Sequence, residues 1–324
     1  MKWFFPAAAV FLAACSSAPA EPAAETAIVA SHDYEARYHD APRALETLKT
    51  LASDAYEGRR TGEPGNLKAM AWIEARLDSL DAEPWNESGY RAPFVAARFD
   101  SPENGVRGTN ILARIDGTAG AGSPVLVMSA HFDHLGAVDG EIYNGADDNA
   151  SGVAALLETL AWFKEHPPRN TLLFAFFDAE EQGLSGSTSF VATLPDALRQ
   201  RVAMNLNLDM VARADKGELY AVGTSHFPEL AGLIDGVAAD APIRLLRGHD
   251  TPDWGDQDWS FLSDHAAFVR AGIPSIYLGV EDHADYHQPS DEFENVDPEA
   301  FARSIDTIVL VAEAADGWVT AQAK

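Results

Sequence analysis

Short apolar runs alternate with amphipathic segments from about residue 110 to the end of the chain. The apolar runs predict strands at residues 110–115, 124–129, 171–177, 205–210, 218–222 and 274–278. Helical spacing of apolar residues lies between them, at residues 151–163, 185–193, 228–238, 264–271 and 298–314. Several of the strand segments are apolar on both faces, as buried strands of a parallel sheet are. The pattern predicts one doubly wound α/β domain, with a mostly parallel central sheet flanked by helices on both faces.

Two helices are predicted before the first of these strands. One follows Asp40 and carries Leu45, Leu48 and Leu51 at helical spacing, and the other follows Pro64. Residues 56–62 between them are predicted to form a loop. The sequence contains no internal repeat, and its composition does not change along residues 31–324. We therefore assign these residues to a single domain.

The first residues have the layout of a secretory signal. Lys2 precedes a short apolar run that ends in Leu12-Ala-Ala-Cys15, and this run is too short to span a bilayer. Small residues before a cysteine resemble the bacterial lipoprotein cleavage motif. That resemblance implies that residues 1–15 form a signal peptide ending at Cys15, which becomes the lipidated N-terminus. The alternative is an ordinary signal peptide cleaved near Ala18 or Ala20.

Residues 16–30, rich in Ala, Pro and Glu, are predicted to be a flexible tether between the lipid and the domain. In Gram-negative lipoproteins an Asp after the lipidated cysteine would imply retention in the inner membrane, and here the residue is Ser16. We therefore expect an outer-membrane anchor that faces the periplasm or the cell exterior. Cys15 is the only cysteine, which excludes an intrachain disulfide and a catalytic thiolate, so any metal must be bound by His, Asp and Glu.

The charge of the chain limits its partners. At a formal net charge of -27 over 324 residues, nucleic acid and anionic membrane surfaces are poor partners, because their phosphates attract Lys and Arg. Contact with a membrane is expected only through the N-terminal lipid. The sequence predicts no particular oligomeric state.

Three of the predicted strands run directly into acidic residues or histidine. The segments that follow them are His131-Phe-Asp-His134, Asp178-Ala-Glu-Glu181 and Asp209. The carboxyl ends of parallel strands meet at one rim of a sheet, where the active sites of such folds lie. Clustered carboxylates require cations or shared protons. Imidazole and carboxylate ligands without thiolate suit zinc, and two zinc ions that share a bridging carboxylate would satisfy most of this charge.

Five motifs follow one another along most of the chain after Leu51. They are His131-x-Asp133, Gly145-Ala-Asp-Asp-Asn-Ala-Ser-Gly152, Glu180-Glu181-x-Gly183, Asn207-Leu-Asp209 and Tyr286-His287-x-Pro-Ser-Asp291. In this order they resemble the zinc-dependent exopeptidases of peptidase family M28, typified by bacterial leucyl aminopeptidases.

The resemblance implies a site with two zinc ions per chain. It assigns His131 and Asp209 to one ion, and Glu181 and His287 to the other. It assigns Asp147 as the carboxylate that bridges the two ions.

The same resemblance implies three catalytic roles. Glu180 would be the general base that activates water, and Tyr286 would donate a hydrogen bond to the developing oxyanion. Asp133 would orient the imidazole of His131 from behind the metal.

The resemblance also predicts a cis peptide bond after the bridging aspartate, here between Asp147 and Asp148. His134, which follows the first motif, is interpreted as a structural histidine. Asp264 and His265 are interpreted as supporting residues, with Asp264 as the N-cap of a helix.

The function implied by the resemblance is hydrolysis of N-terminal residues from peptide substrates. The alternatives on the same site are a carboxypeptidase, a dipeptidase or a glutaminyl cyclase-like enzyme. A non-catalytic surface protein that binds zinc is the alternative from another functional class.

Overall fold

The computed structural model describes residues 34–85, 87–96 and 105–322. The predicted signal peptide (1–15) and tether (16–30) lie outside the described residues. No helix within the described ranges has both the length and the apolar character that a bilayer span requires.

Eight α-helices and eleven strands are present among the described residues. The helices are α1 (Ala41–Leu51), α2 (Pro64–Ser79), α3 (Gly152–Glu165), α4 (Ser185–Thr193), α5 (Asp196–Arg199), α6 (Ala231–Ala238), α7 (His265–Arg270) and α8 (Pro298–Gln322). The strands are β1 (Glu83–Pro84), β2 (Arg91–Ala96), β3 (Val106–Ile115), β4 (Val125–His131), β5 (Gly136–Val138), β6 (Glu141–Tyr143), β7 (Thr171–Phe177), β8 (Val202–Leu208), β9 (Glu218–Val222), β10 (Arg244–Arg247) and β11 (Ser275–Gly279).

The central sheet is parallel in its middle and mixed at its sides. Its strand order is β1-β3-β7-β4-β8-β11-β9-β10, with β2 also paired to β3, and β5 and β6 form a separate hairpin. Strands β7, β4, β8 and β11 are mutually parallel neighbours. The pairs β3–β7 and β11–β9 are antiparallel. The single α/β domain is as predicted, but the sheet is mixed, because an antiparallel strand joins each side of the parallel centre.

The two faces of the sheet form two separate parts of the core. Alternate residues of β4 belong to different clusters, with Leu126 and Met128 in one and Val125 and Val127 in the other. The larger cluster takes in residues of α1, α2, α3, α6 and α8, and the smaller one those of α4, α5 and α7. Both faces of β4 are buried, which explains its uninterrupted apolar sequence.

The elements that sequence patterning misses lie mainly at the edges of the sheet. Strand β2 alternates between exposed and half-buried residues, and β10 begins and ends in Arg. Neither has the continuous apolar run that marks a buried strand. The predicted loop at 56–62 is partly a 3₁₀ helix, Asp54–Arg59.

The strand pairing brings the first three motifs together. In the parallel register His131 lies opposite Phe177, the last residue of β7. Ser129 lies opposite Asn207, two residues before Asp209. The acidic and histidine residues after β4, β7 and β8 therefore meet at one rim of the sheet.

Candidate functional site

The first group of donor atoms forms where β4 and β8 end. Nε2 of His131 lies 3.3 Å from Oδ1 of Asp209 and 3.3 Å from Oδ1 of Asp148. The hydroxyl of Ser263 donates a hydrogen bond of 2.6 Å to Oδ2 of Asp209 and orients that carboxylate. Ser263 immediately precedes Asp264 and His265, which the sequence predicted to be supporting residues, with lining of the pocket as the alternative.

A second group of donors lies on the other side of Asp148. Its Oδ2 is 3.1 Å from Nε2 of His287, which is in turn 3.4 Å from Oε1 of Glu181. Nδ1 of His134 lies 2.7 Å from the same Glu181 oxygen. One carboxylate, that of Asp148, thus faces both groups of donors.

The structure does not bring Asp147 to either group. Its Oδ1 accepts hydrogen bonds from the backbone N–H groups of Ala212 and Arg213 and from the hydroxyl of Ser151. Its Oδ2 lies 3.2 Å from Nε2 of His283. Asp147 therefore ties the start of α3 to the segment after β8, and Asp148 occupies the place expected of the bridging residue.

The non-proline cis peptide bond lies between Asp148 and Asn149. The expectation of a cis bond between Asp147 and Asp148 was wrong by one residue.

Two buried residues fix the backbone of the loop that carries Asp148. The carboxylate of Asp291 accepts hydrogen bonds from the backbone N–H groups of Asp147 and Asp148. Arg59, which is fully buried, donates to the carbonyls of Asn144 and Gly145. Asp291 was part of the last motif without an assigned role, and Arg59 lay within the predicted loop, where no sequence signal indicated burial.

Glu180 lies beside the first group of donors. Ligand atoms of His131, Glu180 and Asp209 all lie within 4.8 Å of one another. The backbone N–H of Glu180 donates to Oδ1 of Asp133 at 3.0 Å. Nδ1 of His131 is hydrogen bonded to the backbone oxygen of Asp133 at 3.1 Å, while the Asp133 carboxylate is 3.7 Å away. The backbone of Asp133 thus orients His131, and its carboxylate positions Glu180.

Tyr286 covers the second group of donors. Its ring stacks on that of His287 with 4.0 Å between the centroids. Burial raises the pKa of Tyr286 above its usual range, and the carboxylates of Asp148 and Asp209 raise it further. The phenol therefore stays protonated, as a hydrogen-bond donor must.

The ionisable groups of the site shift one another's pKa values in opposite directions. Burial raises the pKa of Glu180 well above its usual value, and Asp209 and Glu181 add to the shift. Burial also acts to raise the pKa of Asp148, but the neighbouring imidazoles outweigh it and hold that pKa well below its usual range. For His287, the carboxylates of Asp148 and Glu181 outweigh burial and raise the pKa to about 10. Opposed shifts in one buried cluster are typical of functional sites.

The donor set fits zinc. Within the described ranges, the ligand atoms of His131, Glu180 and Asp209 lie close enough together for one ion, and so do those of His134, Asp148 and Glu181. Imidazole nitrogen and carboxylate oxygen are common zinc ligands. The carboxylates outnumber the positive charges around them, and bound cations would offset the excess.

Sequence comparison finds relatives that are longer than this chain. It is 28% identical to leupeptin-inactivating enzyme 1 of Streptomyces exfoliatus over 283 residues, which are 87% of this chain and 55% of the relative. It is 30% identical to the probable lipoprotein aminopeptidase LpqL of Mycobacterium tuberculosis over 81% of this chain and 56% of that protein. The chain thus spans about half the length of these curated relatives.

Solved structures share the fold. A zinc aminopeptidase from Bacillus subtilis superposes with a TM-score of 0.68 at 19% identity, covering 87% of this chain and 96% of the other. A glutaminyl cyclase from an Acidobacteriales bacterium superposes with a TM-score of 0.70 at 17% identity, covering 90% and 98%. The sequence profile of peptidase family M28 matches residues 110–312, which include every one of the five motifs. The chain belongs to peptidase family M28.

Proposed function

We propose that this chain is an exported, dizinc aminopeptidase. The observation that carries the proposal is the position of Asp148, whose two carboxylate oxygens face different donor groups. Oδ1 lies 3.3 Å from Nε2 of His131, and Oδ2 lies 3.1 Å from Nε2 of His287. A carboxylate in this position is suited to bridge two metal ions.

The proposed ligands form two sets that share Asp148. His131 and Asp209 complete the first, and Glu181 and His287 complete the second. Zinc bound at these residues would lower the pKa of a water molecule and polarise the carbonyl of the scissile bond.

Glu180 is the proposed general base. Its carboxyl group lies beside the first donor set and outside the hydrogen bonds that hold the loops together. A carboxylate this close to His131 and Asp209 would take up the proton of the attacking water and return it to the leaving amine. Tyr286, held protonated beside His287, is placed to donate to the oxygen on which negative charge develops.

Removal of N-terminal residues is supported by the relatives, two of which are named as aminopeptidases. A free amino group is a cation, and the acidic rim of this site attracts it.

The Glu180→Gln substitution tests the base. We expect the variant to retain zinc and to lose about 10²–10⁴-fold in kcat, the range that general base catalysis contributes. Glu229→Gln, an exposed residue with the same chemical change, is the matched control. Wild-type kcat in the zinc-loaded Glu180→Gln protein would refute the assigned role.

A mixed peptide library tests the reaction. Shortening from the N-terminus, read by mass spectrometry, supports the aminopeptidase, and blocking the amino group by acetylation should abolish it. The similarity to glutaminyl cyclases makes loss of ammonia from peptides with N-terminal Gln the second candidate outcome. Shortening only from the C-terminus would replace the proposal with a carboxypeptidase.

The proposed location is the outer membrane, with Cys15 as the lipid attachment site. The lipoprotein-like motif at residues 12–15 and the name of the Mycobacterium tuberculosis relative support it. In a bacterial host, the wild-type protein should fractionate with the membrane and incorporate labelled palmitate. The Cys15→Ala variant should do neither, and palmitate labelling that survives this substitution would disprove the anchor.

A further inference from the structure

His134 is a buried histidine whose ring nitrogens lack hydrogen-bond partners. The residue follows β4 and has no exposed surface. Neither Nδ1 nor Nε2 has a partner in hydrogen-bonding geometry, and the same is true of Oε1 of Glu181. Yet Nδ1 lies only 2.7 Å from that oxygen, and 3.7 Å from Oδ2 of Asp148.

Nδ1 of His134 and Oε1 of Glu181 are thus close together but do not form a hydrogen bond with each other. Leaving a buried polar atom unpartnered costs about 1–3 kcal/mol. An ion bound between such atoms would satisfy them without a direct hydrogen bond. The ligand atoms of His134, Asp148 and Glu181 all lie within 4.8 Å of one another, which suits donors that each approach one ion to about 2.0–2.2 Å.

The backbone makes room for this ring. Gly145 has φ +55°, and a Cβ atom there would lie 2.6 Å from Cδ2 and 2.7 Å from Cγ of His134. A larger residue at this position would displace the imidazole. The absence of a side chain at Gly145 therefore allows the ring to lie against the loop that carries Asp148.

We infer that His134 is a direct ligand of the second metal position, beside Asp148, Glu181 and His287. This inference rests on the proposed function, in which the two donor groups bind zinc. The second position then has four protein donors, two imidazoles and two carboxylates. The first has three, from His131, Asp148 and Asp209.

The unequal donor sets give the two positions different properties. A position with four protein ligands holds zinc more tightly than one with three, which keeps a place open for water or substrate. The second position is therefore the tighter one. Zinc should leave the protein in two steps, and the ion at the second position should leave last.

Competition with a chelator of known affinity tests the inference on the full chain. We expect two resolved zinc-binding steps in the wild type. His134→Gln should weaken the tighter step by more than about 100-fold, since even the loss of an outer-shell partner costs 10–100-fold. His287→Gln should also weaken this step, and His265→Gln, another buried histidine with an unpartnered ring nitrogen, should leave it unchanged.

Cobalt gives a second readout that does not depend on activity. One equivalent of Co²⁺ in the wild type should show the intense visible absorption of a four-coordinate site, and the His134→Gln variant should lose it. If the glutamine variant fails to fold, His134→Gly with added imidazole replaces it. Restored tight binding by imidazole supports the inference, and its absence opposes it.

The outcomes separate the two proposals. A folded His134→Gln protein with both zinc affinities and the cobalt spectrum of the wild type would overturn the role of His134 alone. A wild-type protein that binds no zinc would overturn the proposed function itself.

Discussion

The Arg59→Met substitution should destabilise the fold although Arg59 contacts no carboxylate. Arg59 lies in the 3₁₀ helix before α2 and is fully buried. Its guanidinium donates four hydrogen bonds, all to backbone carbonyls: Leu51, Phe132, Asn144 and Gly145. The last three carbonyls belong to the loops that carry the proposed metal ligands.

The expected loss follows from two opposing contributions. Hydrogen bonds to a charged group contribute about 1.5 kcal/mol each at the lower end of their range, which gives about 6 kcal/mol for four. Burial lowers the pKa of Arg59 from 12.5 to about 10, and the shift corresponds to about 3 kcal/mol that opposes the charged form. Methionine fills a similar volume and removes both contributions. Because the substitution also leaves four buried carbonyls without this donor, the free energy of unfolding should fall by at least about 3 kcal/mol.

Urea unfolding of the metal-free proteins, followed by circular dichroism, measures this loss. A lower midpoint with an unchanged slope would show that native stability has fallen. Arg60→Met is the matched control, because the exposed Arg60 side chain makes only a 3.4 Å hydrogen bond to Leu135 and a 3.9 Å ion pair with exposed Glu63. We expect that control to stay within about 0.5 kcal/mol of the wild type. The same small change in Arg59→Met would show that the buried guanidinium does not hold these loops.

Four other substitutions test separate parts of the structure. Asp148→Asn should reduce the zinc that the protein retains after dialysis, whereas Asp147→Asn should retain zinc and lower the melting temperature. The reverse result would show that Asp147 is the carboxylate that bridges the two ions. Burial lowers the pKa of His265 to about 4. Between pH 6.5 and 4 the unfolded chain therefore binds a proton that the folded protein excludes, and stability should fall by up to about 3 kcal/mol. Urea titrations of His265→Gln should lack this part of the pH dependence, and an identical dependence in both proteins would contradict it. Buried Asp306 accepts hydrogen bonds from Tyr34, His39 and the backbone between them. Asp306→Asn should therefore lower the free energy of unfolding by about 2 kcal/mol and make residues 34–40 accessible to protease. Unchanged protection from protease would argue against this anchor.

The alternation of buried strands and amphipathic helices is largely a property of the sequence. A strand buried on both faces favours a continuous apolar run, which is why β7 has the bounds expected from the sequence. Strand β9 also has its predicted bounds. Helix α4 also coincides with its prediction. Edge strands β2 and β10 carry no such requirement, because within the described residues one side of each has no paired strand and their residues are partly exposed. Their existence depends on the neighbouring strand and not on their own composition.

The sequence also identifies the rim at which the site lies, because polar residues directly follow three parallel strands. It does not distinguish Asp147 from Asp148, since two identical neighbouring side chains satisfy the same motif. The tertiary structure makes the distinction. Hydrogen bonds from residues 212 and 213 hold the first carboxylate, and Asp291 turns the backbone so that the second one faces the donors.

The burial of His134 and Arg59 could not be predicted from the sequence either. A histidine after a strand and an arginine between two helices are both ordinary in sequence, and neither residue type is usually buried. The sequence determined which residues are available at the rim and in what order along the chain. Only the tertiary structure decided which of them face one another, because burial, loop direction and the space left by Gly145 arise from contacts between segments far apart in sequence.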